Sequence, residues 1–145
     1  MPLEKNMEQK IEELNEDDKE WLRKNREWLI GHFDNPEDYS TVSAKLKLIE
    51  TVLSNKWVNK DETAKLHALG IAFGDALEQD VEELSWVAVE DDIGRDPALR
   101  WLDTSVIVFP HTSISKRVED DVKFDVYDMF GGFQKAIQEA LENEA

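Results

Sequence analysis

"LSWVAVEDDIGRDPALRWLDTSVIVF", residues 84–109, decides the fold class of this chain. Upstream of it, apolar residues recur at helical spacing; inside it the period drops to two. "LSWVAVE" (84–90) alternates and is rich in β-branched and aromatic residues, as a strand with two unlike faces should be. "ALRWL" (98–102) sets Ala98, Arg100 and Leu102 against Leu99 and Trp101. "SVIVF" (105–109) is continuously apolar, as in a strand covered on both sides. The first gap, "DDIGRDP" (91–97), is built for a turn: Gly94 is able to take a positive φ, and Asp91, Asp92 and Asp96 can bond nearby backbone. Asp103 and Thr104 fill the second gap, and Pro110 closes the stretch. The expectation is a three-stranded antiparallel meander.

Working outward, the flanks read as helices. Asn15 has the character of an N-cap, with acids filling the turn that follows it and Asp18 three residues on. From there Trp21 and Trp28, with Leu22 and Leu29 beside them, form a stripe that continues from Leu14 and runs to about His32. Asn35 and Pro36 break it. A second helix fits 41–55, with Leu46, Ile49 and Leu53 on one side. Asp61 is placed to cap a third, over 62–79, whose stripe is Leu66, Leu69, Phe73 and Leu77. That helix carries Gly70 and Gly74 four apart, and each costs about 1 kcal/mol relative to Ala in a helix interior. Two on one face imply that another element crosses close to the backbone. Downstream, "TSISKRVED" (112–120) supplies one or two helical turns. Asp125 caps a long C-terminal helix bearing Val126, Phe130, Phe133, Ile137 and Leu141, which Gly131 and Gly132 are expected to kink.

The fold class expected is therefore α+β in a single domain over 14–145, after a loose segment 1–13: three N-terminal helices, the meander, a short helix and a long one. Leu69, Phe73, Trp86, Ile107, Phe109, Phe130 and Phe133 should share one core.

Composition narrows the function. With 17 basic and 33 acidic residues the net charge is −16, which repels phosphate backbones and disfavours nucleic acid as a partner. There is no Cys, so disulfides and thiol chemistry are excluded, in keeping with a reducing cytoplasm. No apolar run nears the roughly 18 residues of a membrane helix, and the N-terminus lacks a signal-peptide core. His32, His67 and His111 sit on separate elements without ligand spacing, so neither a metal nor another cofactor is expected; His111 is expected to be exposed or capping. The acids before Gly94 do not match a calcium loop.

One positive island remains. Residues 93–118 hold Arg95, Arg100, Lys116 and Arg117 against Asp96 and Asp103. In a meander the third strand ends beside the end of the first, so the hairpin tip and the Lys116 and Arg117 turn should meet there. The candidate binding residues are Glu90, Asp91, Arg95, Asp96, Arg100, Lys116 and Arg117. The cluster is then either a clasp holding hairpin to helix or a site for a small anion. Asp75 joins the set: it follows Gly74 on a largely apolar helix and requires a cation, with Arg100 or Arg117 the candidates.

"LGIAFGDAL" (69–77), "WVAVEDDIGRDPALR" (86–100), "VFP" (108–110) and "ISKRVE" (114–119) resemble, in order and spacing, a bacterial family known only as a domain of unknown function. The resemblance implies that Gly70, Gly74, Asp75, Trp86, Glu90, Gly94, Arg95, Asp96, Arg100, Pro110, Lys116 and Arg117 occupy signature positions. It also leads one to expect an apolar residue after Pro110, where this chain has His111. No activity comes with it. The favoured reading is a cytoplasmic, non-enzymatic binding module that uses the hairpin tip and basic turn to take a protein partner or small anion. An inhibitor of a basic partner, an enzyme on an anionic substrate and a structural subunit are the alternatives, and the choice between monomer and homodimer stays open.

Overall fold

Helices and strands segregate as the sequence periods require. The computed structural model describes residues 9–144. Strand β1 (Lys10–Glu12) is followed by α1 (Glu16–Ile30), a 3-10 turn (Pro36–Ser40), α2 (Val42–Ser54) and α3 (Thr63–Asp80). Then come β2 (Leu84–Glu90), β3 (Arg95–Trp101), β4 (Ile107–Val108), a 3-10 turn (Pro110–Thr112), α4 (Ser113–Glu119) and α5 (Val126–Glu144). The class is α+β with five helices among the described residues, none of them long and apolar enough to cross a membrane.

The sheet is four-stranded and antiparallel, in the order β1-β2-β3-β4. The expected meander is there, but β1 adds a strand from the segment expected to be loose: Lys10 pairs with Glu90 and Glu12 with Ala88. Residues 1–8 of that segment lie outside the described residues. The other strand bounds also shift. β3 begins at Arg95, three residues early, and places Pro97 opposite Ala88. A proline in a strand flanked on both sides should break the ladder. It is tolerated because β4 reaches only Leu99 and Arg100, which leaves Pro97 on a free edge. The hairpin turn is correspondingly tight. Asp91 N–H donates to the Gly94 carbonyl at 2.9 Å, and Asp91 Oδ1 accepts from the N–H groups of Ile93 and Gly94 at 2.9 and 3.1 Å. The Asp side chain organises the loop, and Gly94 does not use the positive φ expected of it.

Caps explain the helix starts. Asn15 and Asp18 form a reciprocal capping box on α1. Thr41 accepts from Ala44 N–H on α2, and Asp125 accepts from Tyr127 and Asp128 N–H on α5. At α3 the N-cap residue is Glu62 rather than Asp61, with no side-chain cap bond. Helix α5 continues as one helix through Gly131 and Gly132.

Helix α3 is the centre of the molecule. It packs against α1, α2, α4, α5, β2 and the Pro110–Thr112 turn, and its residues 68–77 are all buried. A helix surrounded on every side is apolar all round rather than striped. Phe73 meets Phe130 and Phe133 edge to face, at 5.8 and 5.1 Å. Two expected core members fall outside: Ile107 is half-buried and Phe109 is 37% exposed, because β4 is only two residues long and lies at the sheet's margin. The expected close crossing is real. A Cβ on Gly70 would stand 2.6 Å from the carbonyl carbon and Cα of His111. One on Gly74 would stand 2.5 Å from Cζ2 of Trp86 and 2.8 Å from Cγ of Pro110. Backbone of the Pro110–Thr112 turn therefore lies directly on α3, and that contact positions both polar sites described next.

Candidate functional site

The first polar site is a hub around Asp75. Its side chain is 7% exposed. Arg26 of α1 grips it with two prongs, Nε to Oδ2 at 2.9 Å and Nη2 to Oδ1 at 2.7 Å. Tyr39 Oη donates to Oδ2 at 2.7 Å and Trp86 Nε1 to Oδ1 at 3.0 Å. Four donors fill the roughly four acceptor positions a carboxylate offers. Asp75 does pair with an arginine, but it is Arg26 and not Arg100 or Arg117. The sequence held a signal for this. Leu22, Arg26 and Leu29 are spaced by four and three, so Arg26 stands in the apolar stripe of α1, and a charge in such a stripe requires a buried partner. The bonds to Asp75 raise the pKa of Arg26. Burial, and then the Asp75 charge, raise that of Tyr39. Glu78, one turn on, is raised first by burial and then by Asp75.

The expected cluster of four cations does not assemble. Arg95 and Arg100 occupy opposite ends of β3, facing Glu90 and Ser85 respectively, about 17 Å apart at strand rise. Arg95 pairs with Glu90 Oε1 at 3.3 Å, with Asp18 at 2.8 Å and with Glu12. It ties the hairpin to α1 and β1, not to α4. The Asp18 hydrogen bond is the largest influence raising the Arg95 pKa, and Arg95 in turn lowers that of Asp18. Arg100 donates to the carbonyls of Thr104 and Asp103 at 2.7 and 2.8 Å, clamping the turn between β3 and β4. Arg117 donates to the Ser113 carbonyl at 3.0 Å within α4. Lys116 is exposed, and Asp91 serves the hairpin turn.

The second polar site is a cleft of about 300 Å³ between the N-terminal half of α1, the start of β3, and the Pro110–Thr112 turn. That volume is at the lower end of the range for ligand pockets. Of the candidates named from sequence, Arg95 and Asp96 line it; Asp17, Trp21, His67 and His111 were not anticipated there. His111 is 5% exposed, against the expectation of an exposed residue. The position was expected to be apolar, and the structure shows why: it is enclosed by Trp21, whose ring centroid is 6.4 Å away, and His67, 5.3 Å away. Its Nε2 faces Asp96 Oδ1 at 3.5 Å, while Nδ1 is buried with no hydrogen-bond partner. Burial pushes the His111 pKa down to about 4, against the upward pull of Asp96 and with smaller downward contributions from His67 and Lys116. The ring is thus neutral at pH 7. His67 was legible in one respect: with Gly70 and Gly74 it is spaced by three and four, so it shares the face of α3 on which the turn lies. Among the described residues no group of three or more His, Asp and Glu is placed to hold a metal.

No curated protein matches the chain. A crystal structure from Bacteroides thetaiotaomicron is similar in fold, with a TM-score of 0.69 at 16% identity, covering 89% of this chain and 47% of that one. The chain thus spans about half the length of that neighbour, and the likeness is one of fold alone. Residues 45–130, from within α2 through α3, the meander and α4 into α5, match the family model of a domain of unknown function. That span is more than half of the sequence and includes Asp75, the hairpin and His111. The chain belongs to this family, DUF3806.

Proposed function

We propose that the protein is a non-catalytic binding module whose ligand occupies the cleft beside the turn end of the β2–β3 hairpin. One observation carries this reading: the buried, neutral His111 lines a ligand-sized cleft with its Nδ1 unpartnered. A buried polar atom without a partner costs about 1–3 kcal/mol, which marks the His111 wall of the cleft as the polar group that the fold leaves incomplete. The working surface is then the turn end of the hairpin, at Arg95, Asp96 and Pro97, and it draws on the Pro110–Thr112 turn rather than on Lys116 and Arg117. A catalytic Asp75 fits poorly. Its carboxylate is saturated by Arg26, Tyr39 and Trp86, which leaves no free lone pair to accept a proton from a substrate. An anion site fits poorly too, since each of the five arginines is already engaged by carboxylates or carbonyls.

The test is a fragment screen by NMR with anionic, neutral and cationic members. The expected result is that hits shift the Trp21 indole and the His67 and His111 ring signals together and saturably, with Trp21→Leu serving to assign the indole. Hits that shift only other surfaces, or no hits at all, would overturn the reading.

A further inference from the structure

We infer that the ligand of this cleft is a small organic ammonium ion, its charged head set between the carboxylates of Asp96 and Asp17 and its short hydrocarbon tail against Leu14, Leu22 and Pro97. The inference rests on the binding reading above and adds the ligand's chemical class. It follows from asking which polar groups of the lining are still free.

The cleft has few donors to give. Arg95 is the one permanently cationic side chain in the lining, and Asp18, Glu12 and Glu90 engage it. Acceptors, in contrast, are in surplus. Asp18 is committed to Arg95 and to the α1 cap. Asp17 is exposed, and Asp96 is 55% exposed at its side chain with only the 3.5 Å approach of His111. Burial keeps the His111 ring neutral, so it carries one N–H. If that hydrogen is assigned to Nε2, facing Asp96, then the buried Nδ1 is a bare acceptor. Trp21, 38% exposed, adds an aromatic ring, a favourable neighbour for a cation. With Asp17, Asp18 and Asp96 against Arg95 the lining carries a formal charge of −2. An anion placed here meets like charge in a partly desolvated space. A neutral donor can hydrogen-bond a carboxylate but lacks the ion-pair attraction that an ammonium ion adds to that bond. The remaining walls are apolar, which selects a cation with a hydrocarbon body over a hydrated inorganic one.

The experiment titrates the whole protein with three ligands that share a phenylethyl body, phenethylammonium, 2-phenylethanol and 3-phenylpropionate, following the Trp21 and His67 signals by NMR. Phenethylammonium alone should saturate them. Its affinity should fall roughly tenfold or more in Asp96→Asn, the loss expected of one charge-assisted hydrogen bond, and should fall with added salt. Asp96 is exposed, and its variant is checked for an unchanged fold by circular dichroism. Binding of the alcohol or the carboxylate at equal or greater strength overturns the ammonium inference and leaves the binding reading standing. Unchanged affinity in Asp96→Asn overturns it as well. If none of the three ligands moves the cleft signals while the fragment screen finds other hits there, the ligand class is wrong. If both are silent, the cleft itself is not a site.

Discussion

Asp75 and His111 are two buried polar side chains that meet opposite standards. Both lie against the tight packing of α3 with its neighbours, Asp75 next to Gly74 and His111 across from Gly70. Each is almost wholly shielded, at 6% and 5% exposure. Asp75 receives four hydrogen bonds from α1, the Pro36–Ser40 turn and β2. His111 has one long approach from Asp96 and an unpartnered nitrogen. A low dielectric strengthens a polar network that is complete and penalises one that is not. The first group can be read as structure, since everything it needs lies within the fold. The second cannot be explained by the fold alone, and it is the one that lines a cleft. That contrast says where to look for function in a chain so rich in charge: at the polar group left incomplete.

The comparison breaks first if Asp75 is not the keystone described. Asp75→Ala strands the Arg26 guanidinium, the Tyr39 hydroxyl and the Trp86 indole N–H together, and should cost about 3–5 kcal/mol, the range for removing one partner of a buried pair. Tyr39→Phe, which removes one donor of four, should cost about 1 kcal/mol. Urea denaturation monitored by tryptophan fluorescence measures both. A loss below about 1 kcal/mol for Asp75→Ala would mean that the hub does not hold α1 to α3.

The His111 side is tested by pH. An unfolded histidine takes up a proton near pH 6.5, whereas folded His111 resists until about 4. Its contribution is complete above about 6.5 and is lost as pH falls from there toward 4, by about 3 kcal/mol at most. Glu78 acts oppositely. Its raised folded pKa means that it destabilises at neutral pH and that this penalty is relieved as pH falls toward 4.5. Asp18, with its lowered pKa, costs stability only below its unfolded value of 3.8. The difference between wild type and His111→Gln across pH 7–4 isolates the histidine. Stability should fall with acid in wild type more steeply than in the variant, and parallel profiles would show that His111 is not held neutral.

Local order was legible in the sequence, and long-range pairing was not. Asn15, Asp125 and the switch of period at Leu84 each depend on near neighbours, and each reads correctly. Gly70 and Gly74 announced a crossing element because a helix interior tolerates glycine at a cost. What failed depended on partners far along the chain. Lys10–Glu12 is too short and too charged to show as a strand, and forms because the edge of β2 is open to it. Asp75 advertised its need for a cation but not which one, as Arg26 lies 49 residues away. The four-cation cluster failed because β3 starts three residues early, which moves Arg95 into the ladder opposite Glu90 and leaves Arg100 at the far end. The cleft was hidden for the same reason, its walls coming from four separate stretches of the chain.

A smaller effect separates glycines that matter from those that do not. Gly74→Ala drives a methyl group into the Trp86 ring and Pro110, and that ring is fixed by its bond to Asp75. Overpacking of this kind costs about 1–3 kcal/mol. Gly131→Ala meets nothing within 4 Å inside α5 and should stabilise by about 0.5–1 kcal/mol through helix propensity and a less flexible unfolded chain. Thermal melts of the two variants should move in opposite directions, and a shared direction would show that the Gly74 crossing is looser than drawn.

The smallest effect belongs to Arg95, and its size depends on salt. Arg95 sits among Glu12, Asp18 and Glu90, all near the surface, where individual ion pairs contribute little. Its removal in Arg95→Ala does more than delete attractions. Three carboxylates from β1, α1 and β2 then face one another with no cation between them, in a chain already at −16. Salt screens both the attraction in the wild type and the repulsion in the variant, over a Debye length of about 10 Å at 0.1 M. Wild type should therefore lose stability and the variant gain it as salt rises, so the gap between their melting temperatures closes. Hydrogen exchange should place the loss at low salt in β1, which pairs with the sheet only along β2 and depends on Arg95 as its side-chain tie. A gap that stays constant from low to high salt would show that Arg95 acts through packing of its alkyl stem, and the clasp between hairpin, α1 and β1 would then be steric rather than ionic.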